Sequence, residues 1–475
     1  MKFPNLTKRA RFWRTGFALI AAGTLMLAAC GPADEVSTEA PPVEETESVE
    51  VVTEEVEVEQ EAFQSYDPIT VLIPEEPWFS AMKKLADVYE DETGNVVNLS
   101  VTPFQGMVQK SINSIQAPES EFDIIVLNEA LYPMFYASQW VVPFNDIDPD
   151  FELDPEIISY ENAARWDPEL GVSTDDGAIY GIPINGNVQL LFYRADLFEE
   201  HGIPAPETWA DVEEAATILH DPPNVYGFAS RTNPPNISTQ AFIKGYGGSL
   251  LDYDMDSGNW VIRVNEDVAV EAIEEWLRLT ETFGPPNYQS ISQAEMMTLM
   301  ASGKLAQGVM ISSVAEDLDN PDISIVAGDV AATVAPGPTA DQKAAITGIW
   351  MLIIPHNTID ENQPGALAFI DWATTKEAQL IFTQEGGTPI REDVYEELKD
   401  DPQLGWWMTA ILDTIPYMYS LPRTPHIMSV LIPYISTLSQ MVVGEFTPQE
   451  ALNQIAETMY ISLTDANVPV QPLNE

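Results

Sequence analysis

The chain of 475 residues is long enough for two or three domains with hydrophobic cores of their own, so it does not depend on disulfide or metal staples. With 75 acidic against 20 basic residues its formal net charge is −55, which excludes nucleic acid and anionic lipid surfaces as natural partners. A single cysteine excludes an internal disulfide.

Residues 1–29 read as an export signal: five basic residues (Lys2, Lys8, Arg9, Arg11, Arg14) precede an apolar run too short to span a bilayer. The run ends in LAAC, a lipobox-like sequence that predicts lipidation of Cys30 as the new N-terminus. Residues 30–65 read as an acidic, extended spacer: twelve carboxylates fall between Asp34 and Glu61 with no base among them, and self-repulsion opposes compaction. The globular remainder still carries 63 acidic against 15 basic residues. An acidic surface of that extent fits solubility in a saline medium, with a cationic ligand as the other explanation.

From residue 69 the pattern alternates. ITVLI (69–73), VVNLSV (96–101) and FDIIVL (122–127) read as buried strands. Between them Trp78, Met82, Leu85 and Tyr89 recur at helical spacing up to Gly94, and a second helix covers 107–116. Such a βαβαβ unit predicts a parallel sheet, with ligands at the carboxyl ends of its strands. Glu75, Glu76, Trp78, Asn128 and Glu129 become candidates by that position.

TWADVEEAATIL (208–219) predicts a helix with Thr208 and Asp211 as its capping box. YGFAS (226–230) reads as a strand, AFIKGYGGSLL (241–251) as a helix ending at a glycine turn, and DMDSGNWVIRV as a polar hairpin. A helix follows over 268–283, a strand over ITGIWMLII (346–354), then two short helices closing at Gly386. Thr447, Pro448 and Glu450 start a last helix strongly. The acidic DYDMDSGNW stretch lacks the glycine and glutamate that a calcium loop needs at its sixth and twelfth positions, and reads as a solvated turn.

Chemistry-bearing motifs are scarce. The four histidines are scattered, and there is no nucleophile elbow, phosphate loop or dinucleotide fingerprint. No cofactor or metal is expected. Paired carboxylates such as Glu75 and Glu76 leave a cell-surface glycosidase open as an alternative. Aromatic and amide residues near the expected loops point instead to sugar rings stacked on aromatic faces, with amides bonding the hydroxyls.

Six segments in one order carry a family resemblance: FDIIVLNEALYPMFYASQWVVPFND (122–146), GAIYGIPINGNVQLLFYRADLFEEHGIPAPETWADV (177–212), YGGSLLD (246–252), MASGKLAQGVM (300–310), AFIDWATTKEAQLIFTQEGGTPIRED (368–393) and GEFTPQEAL (444–452). In these the chain resembles extracellular solute-binding protein family 1, the lipid-anchored or periplasmic receptors of ABC importers that include maltose-binding protein. The resemblance implies an α/β, two-lobed periplasmic-binding-protein-like fold, each lobe a sheet flanked by helices, joined by crossing strands. It places lobe 1 at 66–183, lobe 2 at 184–335, a lobe 1 return at 336–418 and the C-terminal helices of lobe 2 at 419–475. Crossings are expected near 180–183, 330–336 and 418–422.

The family's ligand contacts fall here on Glu75, Glu76 and Trp78, on Asn128 and Glu129, on Asn185 and Asn187 of the first crossing, on Asn236, Gln240 and Tyr246, and on Trp350 and Arg423. Leu127 and the aliphatic residues near Leu431 stand where maltose-binding protein has tryptophans, which favours a monosaccharide, polyol or short glycoside. With few bases beyond Arg391 and Arg423 near the expected cleft, a neutral ligand is expected. The implied protein is a monomeric, extracytoplasmic lipoprotein with no catalytic role that hands its carbohydrate to membrane permease subunits. A polyamine or other small-solute receptor of the same fold, and an adhesive lipoprotein, remain the other readings.

Overall fold

The computed structural model describes residues 63–473, which lie within one compact unit, Glu61–Glu475. The expected signal segment, Cys30 and nearly all of the acidic spacer fall outside the described residues.

The strands in chain order are β1 (Ile69–Pro74), β2 (Val97–Thr102), β3 (Ile124–Asn128), β4 (Arg165–Trp166), β5 (Ala178–Ile179), β6 (Ile182–Asn185), β7 (Gln189–Arg194) and β8 (Ala229–Ser230). There follow β9 (Leu251–Asp254), β10 (Asn259–Ile262), β11 (Gln307–Ile311), β12 (Val330–Val334), β13 (Ala345–Ile346), β14 (Trp350–Ile353) and β15 (Met418–Tyr419).

The first sheet has the order β2-β1-β3-β14-β6, with β1 parallel to both β2 and β3 as the alternating pattern requires. β14 runs antiparallel between β3 and β6. Helix Phe79–Thr93 packs beside β2, turning Met82, Leu85 and Tyr89 inward, and stops where Gly94 takes φ 76°. The second sheet has the order β12-β7-β11-β8, and only β8 and β11 are parallel. Helices Trp209–Leu219, Asn236–Gly245 and Asp267–Phe283 build its core around Trp209, Phe242 and Trp276. Complete capping boxes open helices Trp209–Leu219 and Pro448–Asp465 as expected.

Several expectations shift. YGFAS gives only the two-residue β8, because Gly227 lies where helix Trp209–Leu219 comes closest: a Cβ there would stand 2.7 Å from the carbonyl oxygen of Ala216. The helix expected from residue 241 begins at Asn236, directly after a Pro-Pro pair, and runs to Gly245. The stretch read as one strand over 346–354 breaks into β13 and β14, since between them the backbone changes partners: Thr347 N–H goes to Tyr419, Gly348 N–H to Asn187 and the Ile349 carbonyl to Glu129. That break marks the second connection between the sheets, so the crossing sits at 345–349. Residues 330–334 are instead a full strand of the second sheet, paired with β7. Helix Gly405–Thr414, in the stretch expected to return to lobe 1, packs on β12, with Trp406 against Phe192 at 6.1 Å.

Candidate functional site

The carboxyl ends of β1 and β3, the start of β14 and the end of β6 share one edge of the first sheet: Trp350 stands opposite both Asn128 and Asn185. On the second sheet, the start of β7 and the ends of β8, β11 and β12 share an edge, with Gln189 opposite Ile311 and Leu190 opposite Val334. Only residues 186–188 separate β6 from β7. Four residue steps span at most about 14 Å, so the two edges are held close together.

On the first edge, Trp78 is buried and its ring lies 5.7 Å from Trp350, tilted by 57°, with Phe382 behind it at 6.2 Å. Its indole nitrogen is sealed from solvent with no acceptor. Asn128 accepts the N–H of Ala130 at 3.2 Å. Glu75 is exposed, whereas Glu76 is half-buried and burial pushes its carboxyl above the usual range.

The crossings are held by polar bonds. Asn185 accepts the Thr388 N–H at 2.9 Å, and Asn187 accepts the Thr388 hydroxyl at 3.1 Å. Between them Gly186 has no room for a side chain, a Cβ standing 2.2 Å from the Tyr160 hydroxyl. Glu129 is fully enclosed: the Thr347 hydroxyl lies 2.9 Å from both carboxylate oxygens, and the N–H groups of Ile349 and Leu421 donate at 3.1 and 3.3 Å. Burial pushes its carboxyl up, while the Arg423 charge and these bonds pull it down, with burial the larger effect.

Arg423 donates to the carbonyls of Tyr160 and Glu161 and, at 2.5 Å, to the Ser420 hydroxyl. The carbonyls it holds belong to a run of three left-handed residues, Tyr160, Glu161 and Asn162, at φ 46°, 56° and 66°. Arg423 therefore fixes backbone, and Arg391 is likewise occupied, by Asp154 and Asp393.

On the second edge, helix Asn236–Gly245 presents Asn236 and Gln240 one turn apart, both buried. Asn236 Oδ1 and Gln240 Oε1 are sealed from solvent and accept no hydrogen bond, as is the Ser238 hydroxyl. Tyr246 ends the same helix, about 15 Å further along at 1.5 Å per residue. Burial, with Glu275 and Glu271 of the next helix, pushes its hydroxyl up to about 12.

Of the twelve expected binding residues, Trp78, Asn128 and Trp350 gather on the first edge and Asn236 and Gln240 on the second. Glu129, Asn185, Asn187 and Arg423 are engaged by the crossings themselves. Thr388, which bonds both crossing asparagines, was not singled out in the sequence, although it lies in the conspicuous EGGTPIRED segment. Among the described residues no group of three His, Cys, Asp or Glu side chains is placed to hold a metal ion.

The sequence pattern of the bacterial extracellular solute-binding proteins matches residues 74–380. The chain belongs to that family. It is 24% identical over 346 residues to an erythritol/L-threitol-binding protein of Mycolicibacterium smegmatis, covering 69% of this chain and 71% of that one. It is also 24% identical over 318 residues to a mannitol-binding protein of Pseudomonas aeruginosa, covering 64% and 68%. Among solved structures it is similar to maltose-bound MalE3 of T. maritima, with a TM-score of 0.71 at 19% identity, covering 84% of this chain and all of that one. A solute-binding protein of Agrobacterium radiobacter in complex with ribitol gives 0.68 at 20% identity with the same coverage. These likenesses establish the two-lobed α/β fold. Family membership implies an extracytoplasmic setting, and among the described residues no helix is long and apolar enough to cross a membrane.

Proposed function

We propose that this chain is the receptor of an ABC importer, capturing a sugar or polyol between the two sheet edges and delivering it to a membrane permease. The observation that carries this reading is what the two edges bring together: the contacting, buried Trp78 and Trp350 rings on one, and the unpartnered buried amide oxygens of Asn236 and Gln240 on the other. Aromatic faces suit the C–H faces of carbohydrate, and free acceptors suit its hydroxyls. The relatives' named ligands, erythritol, threitol and mannitol, point the same way.

A binding role without catalysis is supported by the state of the carboxylates. Glu129 is locked in three hydrogen-bonding contacts, Glu75 faces solvent, and Glu76 alone is half-buried near the two rings. Anchoring through lipid on Cys30 is part of the same proposal and rests on the lipobox alone.

Calorimetry and thermal unfolding against erythritol, mannitol, ribitol, maltose and putrescine test it. A ligand at 100 to 1,000 times its dissociation constant should raise apparent stability by about 3 to 4 kcal/mol. Response to putrescine alone would replace the carbohydrate reading by the polyamine one, and conversion of a bound sugar to product would reinstate an enzyme.

A further inference from the structure

Seven arginines lie within the described residues, and six of them hold a carboxylate or a backbone carbonyl. Arg231 is the seventh. No hydrogen bond or ion pair engages it, and its Nε is sealed from solvent without an acceptor. Burial pushes its guanidinium down, and no neighbouring carboxylate opposes that effect. In a chain with 75 acidic residues, a half-buried arginine paired with none of them is an exception to the composition around it.

Its position is specific. β8 pairs with β11 up to Ser230 opposite Val309, and Arg231 is the next residue, at the carboxyl end that shares an edge with the start of β7. Ser230 accepts the Trp276 indole N–H in the core, and Arg231 lies directly past the last paired residue of β8. Five residues further on, helix Asn236–Gly245 begins with the unpartnered Asn236 and Gln240 oxygens. The edge thus offers two kinds of unmet demand: amide acceptors that need hydroxyl donors, and a guanidinium fork that needs an acceptor, best a carboxylate.

We propose that Arg231 binds a carboxylate of the ligand, so that the receptor's substrate is an acid sugar, an aldonate or uronate, and not a neutral polyol. This rests on the receptor reading above. It departs from the neutral ligand expected from the sequence, where Arg391 and Arg423 were the bases considered and both turn out to be occupied. The chain's overall negative charge does not forbid it, because at physiological salt charges beyond about 8 Å are largely screened.

Calorimetry on the full chain with matched pairs, D-gluconate with D-sorbitol and D-galacturonate with D-galactose, tests the proposal. The acid of at least one pair should bind about 10- to 100-fold more tightly than its neutral partner, the range of a charge-assisted hydrogen-bond pair. Arg231→Gln should erase that preference and leave neutral binding within about threefold, whereas Arg231→Lys, keeping charge without the fork, should restore part of it. The wild-type comparison stands even if a variant folds poorly. Equal or tighter binding of the neutral partners, or an Arg231→Gln variant that weakens acid and neutral sugars alike, overturns the acid assignment and leaves the carbohydrate receptor standing. Failure of all four sugars together with a response to putrescine overturns the carbohydrate reading itself.

Discussion

The crossings and the second sheet's edge are built from the same residue types, yet the crossings meet more of their side-chain polar demand within the protein. At the crossings Glu129, Asn187 and the terminal nitrogens of Arg423 bond the protein, through Thr347, Ile349 and Leu421, through Thr388, and through Tyr160, Glu161 and Ser420, while Asn185 Nδ2 and Arg423 Nε stay buried without a partner. At the edge Arg231, Asn236 and Gln240 keep atoms buried and unpartnered, which costs stability unless something else supplies the bonds. A receptor needs both arrangements: a connection that holds the lobes in register and a surface left incomplete until ligand arrives.

Stability measurements can break this contrast, and Glu129→Ala should show the largest effect. It orphans the enclosed N–H groups of Ile349 and Leu421, at about 1 to 3 kcal/mol each, so urea unfolding should report a loss of roughly 3 kcal/mol or more. The pH dependence has a defined sign. A carboxyl raised by burial binds its proton more readily in the folded chain, so its contribution is present at acid pH and is lost as pH rises through the raised value. The advantage of wild type over Glu129→Gln should therefore be greatest near about pH 4 and shrink toward about pH 8. A difference that grows with pH would show that the bonds to the carboxylate outweigh burial.

Arg423→Ala comes next. It removes charged donors from two carbonyls in the left-handed run at 160–162, where Tyr160 and Glu161 already adopt backbone conformations unfavourable to them. A loss of about 2 kcal/mol is expected, together with faster proteolytic cleavage at 160–162. If Arg423 bound ligand instead, affinity would fall while unfolding and proteolysis stayed as in wild type.

These positions also show what could be read from the chain alone. The parallel β1, β2 and β3 were legible because ITVLI and FDIIVL are continuous apolar runs separated by helical spacing, and local pattern decides such elements. The partner switch at 347–349 was not, because ITGIWMLII has an unbroken strand composition and only pairing with distant segments divides it. The candidate site followed the same rule. Position along the family's order found Trp78, Trp350, Asn236 and Gln240, but which asparagine or arginine is already satisfied depends on Thr388, Tyr160 and Glu161, residues more than 200 positions away in sequence from their partners. Arg231 was passed over for the same reason: lack of a partner is a property of the folded chain.

Asn187→Ala and Asn236→Ala give the smallest and most discriminating effects. The family resemblance assigns both asparagines to the ligand, and for Asn187 the sequence leads one to expect weaker binding at nearly constant stability. The structure separates them. Asn187 accepts the Thr388 hydroxyl across the crossing, so its loss should lower stability by about 1 kcal/mol and alter ligand affinity only through lobe geometry. Asn236 has a sealed oxygen with no donor, so removing it relieves an unmet demand, and stability should stay within about 0.5 kcal/mol of wild type or rise. Affinity for the bound sugar should fall about tenfold in that variant, the value of one hydrogen bond made only with ligand. The reverse result, an unstable Asn236→Ala and a binding-deficient but stable Asn187→Ala, would exchange the roles assigned to crossing and edge. It would also remove the reason for reading unpartnered polar atoms in this chain as places kept for a ligand.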